Sequence, residues 1–386
     1  MRIRYAAALA VVTVAIIGIV MSARRGDNTS LVRTMALTQN PTAVVVDTRS
    51  DRAIVALEAD RPGTLGHALI LDDKTGELLH TVDVGLALSA LTIDERAGRV
   101  YLADSVAPAG RPGATAALYV LDEQSGRVSR NMALDVPVVA MAVDSRSGRL
   151  LTVSRGNIVN GAYGTGTVAV RDATTGTALY TGTVGMYPTS IAIDARSQQV
   201  FFANLLDNSV SVLDARNGHP LRTITLGPPP GRAVAVAVDA RARHVFALSL
   251  PPTIAGGPQP TLGGLVMINL ATGRLTRVIA LRNPAALAVD EHTGRVLVAT
   301  GGGIQVRDGA SGRLLRTIST GVSPSALAVD DRSGRAILIR GDGAARDSDA
   351  WAWVPGWLRA RLPFIPPPSI HFHAIPASVS FFDLTQ

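Results

Sequence analysis

Two histidines one residue apart, His371 and His373, come nearest to a metal-binding pattern in this chain. In an extended segment both imidazoles fall on one side, and Asp347 and Asp349 are candidate further ligands. The spacing fixes no third ligand, so His371 and His373 stay candidates and no metal centre is assigned. His67, His80, His219, His244 and His292 are scattered among turns and strands and form no constellation. There is no cysteine, which excludes disulfides, thiolate nucleophiles, Cys-ligated metals and covalent haem. No Ser–His–Asp order, phosphate loop or haem motif stands out, and no cofactor is expected.

The second chemically distinctive segment is aromatic. Trp351, Trp353 and Trp357 are all the tryptophans of the chain, and Leu358, Leu362, Pro363, Phe364, Ile365 and Pro366–Pro368 follow them. Trp351–Leu362 is expected to form a short amphipathic helix ended by the prolines. Exposed aromatics mark interfaces, so Trp351, Trp353, Trp357, Phe364 and Ile365 are candidate contacts for a partner or ligand. The segment would then be a docking site or a lid, or else a plug packed on itself.

These residues must be held by something, and the rest of the chain says by what. A short apolar strand ending in Asp, a polar turn and a second apolar strand recur at Asp47, Asp94, Asp144, Asp194, Asp239, Asp290 and Asp330. The spacings are 47, 50, 50, 45, 51 and 40 residues. Strand patterning at such a period is the signature of a β-propeller with one four-stranded sheet per repeat. The strands of a blade are labelled a to d from the axis outwards. Asp at the ends of strands a and c suits an Asx-turn. Glycines such as Gly98, Gly148, Gly294 and Gly334 (a–b) and Gly76, Gly126, Gly176, Gly218, Gly273 and Gly312 (c–d) suit tight hairpins. Strand a is nearly all apolar, as expected of an inner strand buried on both faces.

The chain ends complete one blade. Leu31–Asp47 aligns without a gap on Leu314–Asp330, so residues 31–37 read as a strand d lacking its own blade. Ser378–Asp383 reads as a strand c lacking its d. The expectation is an all-β, seven-bladed propeller over 31–386, closed by the N-terminal strand and interrupted at 341–376 in the last blade.

The phrase Pro188-Thr-Ser-Ile-Ala-Ile-Asp194, followed by Asn204 and Ser209-Val-Ser-Val-Leu-Asp214, resembles the YVTN-type repeat of the YncE-like propeller family. Phe201-Phe-Ala-Asn204 and Val100-Tyr-Leu-Ala-Asp104 stand where that family has its Tyr-Val-Thr-Asn strand. The resemblance implies an extracytoplasmic propeller and no particular chemistry. Similar propellers occur in quinoprotein dehydrogenase subunits and lactonases, but no catalytic residue carries over. A binding scaffold without catalysis is the first expectation; an enzyme of lactonase or quinoprotein type using the axial pocket is the alternative.

Residues 1–25 differ. Arg2 and Arg4 precede an apolar run from Tyr5 to Ala23, and Arg24 and Arg25 follow. This reads as a transmembrane signal anchor, joined by a linker at 26–30, with the propeller outside the cytoplasm. Secretion after cleavage is the alternative. The net charge is +7 with a single lysine, Lys74, among 37 basic residues. The arginines recur in Asp-bearing turns rather than gathering with aromatics in a groove, which argues for solvated turn charges and against nucleic acid. The a–b and c–d turns lie on one face and are short. All the length variation falls in the b–c and d–a loops, making that face the one for a partner or ligand. Arg49, Arg96, Arg146, Arg196, Arg241 and Arg332 ring the short-turn face, which the tether would hold near anionic headgroups.

Overall fold

The computed structural model describes residues 31–60, 64–106, 116–156, 158–159, 162–227, 231–251, 262–320, 324–341, 343–346 and 372–385. They form seven four-stranded antiparallel sheets and two short two-stranded ribbons, with no helix among the described residues. The inner strands are Pro41–Asp47, Leu88–Asp94, Ala140–Asp144, Pro188–Asp194, Arg232–Asp239, Pro284–Asp290 and Ala326–Asp330. In blades one to six the four strands follow one another in sequence and in space. Blade seven is assembled from both ends of the chain: Ala326–Asp330, Arg335–Arg340, Ser378–Asp383 and, outermost, Leu31–Ala36.

The turns follow the residue types. Each inner Asp is buried, and its carboxylate caps the hairpin: Asp47 Oδ1 accepts the amides of Arg49 at 2.7 Å and Ser50 at 3.2 Å. Four residues after each inner Asp the backbone enters the left-handed region in every blade. Glycine does this at Gly98, Gly148, Gly294 and Gly334, but Asp51, Gln198 and Arg243 do it with a side chain. That strains three of the hairpins and shows that the turn is imposed by the strands, not only by glycine.

The hydrophobic core is a ring of seams. Seven apolar clusters occur, each joining one blade to the next. The cluster between blades seven and one packs Ile337, Ile339, Val379 and Phe381 on Val44, Val55 and Leu57. Strands b and c are the most buried. Strand a, expected to be buried on both faces, is only partly buried in most blades, with Ala43, Val45, Ile193 and Ala288 partly accessible; in blade three all of it but Val143 is buried. The apolar inner strands thus reflect the small volume available where blades converge, and not complete exclusion of water.

Arginine has a use beyond solvated turns. The third residue of strand d reaches the c–d turn of the next blade: Arg33 to the Thr75 carbonyl at 3.1 Å, Arg222 to Leu270 at 2.8 Å and Arg316 to Leu384 at 2.6 Å. Arg277 donates likewise to Ser311, and His80 meets the Gln124 carbonyl. A guanidinium provides several donors in a fixed fork, so one residue can staple the outer rims of two blades.

Leu31–Ala36 pairs with Ser378–Asp383 at Leu31↔Phe382, Arg33↔Phe381, Thr34↔Ser380, Met35↔Val379 and Ala36↔Ser378. A chain beginning at residue 38 loses these five pairs, on the order of 5 kcal/mol at about 1 kcal/mol per net hydrogen bond. It is expected to unfold at lower urea than a chain beginning at residue 31, and to aggregate through the uncovered edge, as light scattering would record.

Candidate functional site

The topology places the a–b and c–d turns on one face and the b–c and d–a connections on the other. On the long-loop face, the last residue of strand b knits the loops together. Buried Asp104 accepts the amides of Leu86 (2.8 Å), Ala87 (3.0 Å) and Val106 (3.0 Å). Fully buried Asn204, in the place of the resemblance's Asn, donates to the hydroxyls of Ser209 (3.0 Å) and Ser211 (2.9 Å). These polar ends of the b strands therefore hold up the loops from beneath. In blade six the b–c connection is a tight turn, with Thr300 paired to Gly303.

Above this floor sits an aromatic group between blades three and four. Tyr163, exposed on the b–c connection, meets the Tyr187 ring edge-on at 4.7 Å. The Arg155 guanidinium lies 4.2 Å over the Tyr187 ring, within cation–π range. Tyr187 has φ 55°, a left-handed conformation that is rare for a bulky residue. Its amide neighbour, Met186, donates to the Asp207 carboxylate at 2.7 Å. A strained tyrosine held between a cation and a second ring is a preorganised surface for a planar, apolar or anionic group. The same left-handed turn recurs at Asn283 before Pro284, so the backbone belongs to the repeat; sequence reading missed the group because nothing local brings Arg155 and Tyr163 to Tyr187.

The interruption in blade seven starts as a ribbon, Gly343–Arg346 paired with Phe372–Ile375. His373 lies on this ribbon, opposite Ala345. His371, Asp347, Asp349, Trp351, Trp353, Trp357, Phe364 and Ile365 lie outside the described residues, as does the expected helix. The expected anchor and linker, residues 1–30, also lie outside them. Among the described residues no helix is long and apolar enough to cross a membrane.

The shifted titratable groups lie on the opposite face. The six turn arginines are exposed there, and none forms an ion pair among the described residues. Their amides or their neighbours' amides cap the inner Asp instead. The residue following the inner Asp is acidic in three blades: Glu95, Glu291 and Asp331. Burial pushes all three carboxyls up, and neighbouring carboxylates add to it. Glu95 accepts the Thr48 amide and hydroxyl, and Glu291 the Ala240 amide, each across a seam.

Deeper in the seams, the residue after strand c packs against the inner Asp of the preceding blade. It is Ala173, Ala215, Leu270, Gly309 or Leu384 in five blades, but Asp73 and Glu123 in blades one and two. Burial pushes Asp73 up to about 7, helped by Asp330 beside it. Glu123 is likewise raised to about 7 by burial, then by Asp47. Asp330, though buried, is held below the usual range by the Asp73 carboxyl and the Ser333 hydroxyl beside it and by the amides of Arg332 and Ser333. The sequence carried a signal for these pairs: a register position apolar in five repeats is acidic in two.

A cleft of about 130 Å³ lies at the outer rim between blades six and seven, lined by Arg295, Val306, Leu315, Arg316, Leu384 and Thr385. It is below the usual size of a small-molecule pocket and away from both clusters above. No protein-family model matches the chain, and no curated protein matches it significantly.

Folded protein holds the Glu123 proton up to about 7, whereas unfolded chain releases it near 4.5. Between those values the folded state binds more protons, so this group's contribution falls as pH rises and its penalty is complete above 7. Glu123→Gln keeps the shape and offers an amide to Asp47. It is expected to be more stable than the parent at pH 8 by up to ~3 kcal/mol, with the difference vanishing towards pH 4, in urea unfolding across pH.

Proposed function

We propose that the protein is an extracytoplasmic, membrane-anchored propeller that binds a protein partner or ligand on its long-loop face and performs no catalysis. The observation that carries this reading is the Arg155–Tyr187–Tyr163 group on that face, with Tyr187 held at φ 55°. Strained residues concentrate where a surface does work, and tyrosine and arginine dominate interface energetics. The ribbon of blade seven rises from the same kind of connection and carries the tryptophan segment, which adds a second aromatic contact surface in this reading. The YVTN-type resemblance supports an extracytoplasmic setting.

The shifted carboxyls favour no axial active site on that face, because they lie between blades at the short-turn end. The anchor rests on the apolar run Tyr5–Ala23. Strand d of blade seven begins at Leu31, on the short-turn face. The seven residues from there back to Arg25 reach at most ~25 Å, so an anchored molecule turns its arginine-ringed face to the bilayer and its long loops away.

Three forms test this from detergent-solubilised membranes: the full chain, a deletion of 347–371, and Tyr187→Gly. Tyr187→Gly removes the ring and relieves about 1 kcal/mol of backbone strain, so its melting temperature is expected to be unchanged or higher. Partner recovery is expected to fall at least tenfold in one or both variants. Equal recovery by all three would place the docking surface elsewhere. A chain lacking residues 1–30 is expected in the soluble fraction, the full chain in the membrane fraction; a soluble full chain would sink the anchor.

A further inference from the structure

The seam between blades seven and one, where the ring closes, gathers three carboxylates. Asp330 ends the inner strand of blade seven, Asp73 follows strand c of blade one, and Asp51 lies in the a–b turn of blade one. One oxygen from each lies within 4.8 Å of the other two. Two oxygens bound to one calcium ion at about 2.4 Å are at most ~4.8 Å apart, so the three stand close to ligand spacing and need only draw together slightly to share an ion.

Asp51 is partly exposed, whereas Asp73 is fully enclosed. Its side chain is 0% exposed, and neither carboxylate oxygen has a hydrogen-bond partner. Arg335 comes no nearer than 4.0 Å, and its Nη1 is also buried without a hydrogen bond. Asp330 uses Oδ1 to accept the amides of Arg332 (2.8 Å) and Ser333 (3.2 Å), which leaves Oδ2 buried and unpartnered. Asp51 Oδ2 accepts from Lys74 Nζ at 2.5 Å, and Lys74 is half-exposed, so a cation entering the seam competes only with a solvent-facing ammonium. With all three carboxylates ionised, Arg335 and Lys74 leave a net negative charge beside the buried Asp73 and Asp330, where an uncompensated charge is costly.

The other seams sharpen the contrast. Five fill the Asp73 position with an apolar residue or glycine, and the Glu123–Asp47 seam lacks a third carboxylate within ligand spacing among the described residues.

We propose that Asp51, Asp73 and Asp330 bind a hard divalent cation of the calcium class, which ties the closing blade to the first. Oxygen ligands alone suit calcium or magnesium. Side chains drawn from three separate turns, completed by water, suit the larger and less geometrically exacting ion. Bound there, the ion satisfies Asp73 and Asp330 together and draws Asp51 across the seam.

The test uses the full chain in detergent at about pH 8, stripped with EDTA and dialysed, with thermal unfolding followed in calcium, magnesium or chelator at matched ionic strength. About 1 mM calcium is expected to raise the midpoint by about 3 °C or more, magnesium by less. Asp73→Asn is expected to abolish the calcium shift. Asp51→Asn is expected to do the same; asparagine tolerates the φ of 56° there and the site is partly exposed, so this variant folds even where the buried one fails. Absence of any shift with either ion in the parent overturns the proposal. So does an undiminished calcium shift in Asp51→Asn, which would put the ion elsewhere.

Discussion

Everything in this molecule depends on one backbone ladder, the pairing of Leu31–Ala36 with Ser378–Asp383. Blades one to six are hairpin stacks that form from neighbouring sequence. Each still has one face that only the next blade can cover, because the core is made of seams rather than of blade interiors. A row of such blades has two uncovered apolar ends. The ladder joins those ends, turns the row into a ring and removes both at once. The arginine staples and Asp caps then act on a structure whose shape is already fixed.

The architecture was legible because it is repetitive. Seven copies of Asp-turn-strand average out local ambiguity, and the match of Leu31–Asp47 to Leu314–Asp330 revealed the shared blade. What the repeat hid was the meaning of its departures. Asp73 and Glu123 look like ordinary turn acids until the fold brings Asp330 and Asp47 against them. Arg33, Arg222 and Arg316 read as surface charge until the next blade supplies carbonyls. Tyr187 shares its left-handed turn with Asn283, each just before the proline that opens an inner strand, so the turn belongs to the repeat and only the tyrosine side chain is particular to blade four. Pairwise chemistry across a seam joins residues one repeat or more apart, and nearly the whole ring apart at the closing seam, beyond the reach of any window used to read a strand.

The two faces divide their tasks on physical grounds. Short turns can hold buried carboxyls because strands a and c deliver them in fixed register, and five of the seven seams do without a second one after strand c. The long-loop face has a rigid floor of Asp104, Asn204 and Thr300 and a variable surface above it. Changes in the loops therefore leave the sheets undisturbed, which suits a scaffold whose contacts vary while its frame does not.

Thr34 and Ser380 share a hydrogen bond across 346 positions of chain. During synthesis the first of these strands emerges long before its mate exists, and loop closure over that length costs about 5 kcal/mol. The closing blade is therefore the last to form, and until then the first and last blades each show a naked apolar flank. The interval between emergence and closure is the time in which a chaperone, a protease or a second unfinished chain can take hold. For this protein, vulnerability is a matter of birth order: the earliest residues out are the ones that must wait longest for a partner.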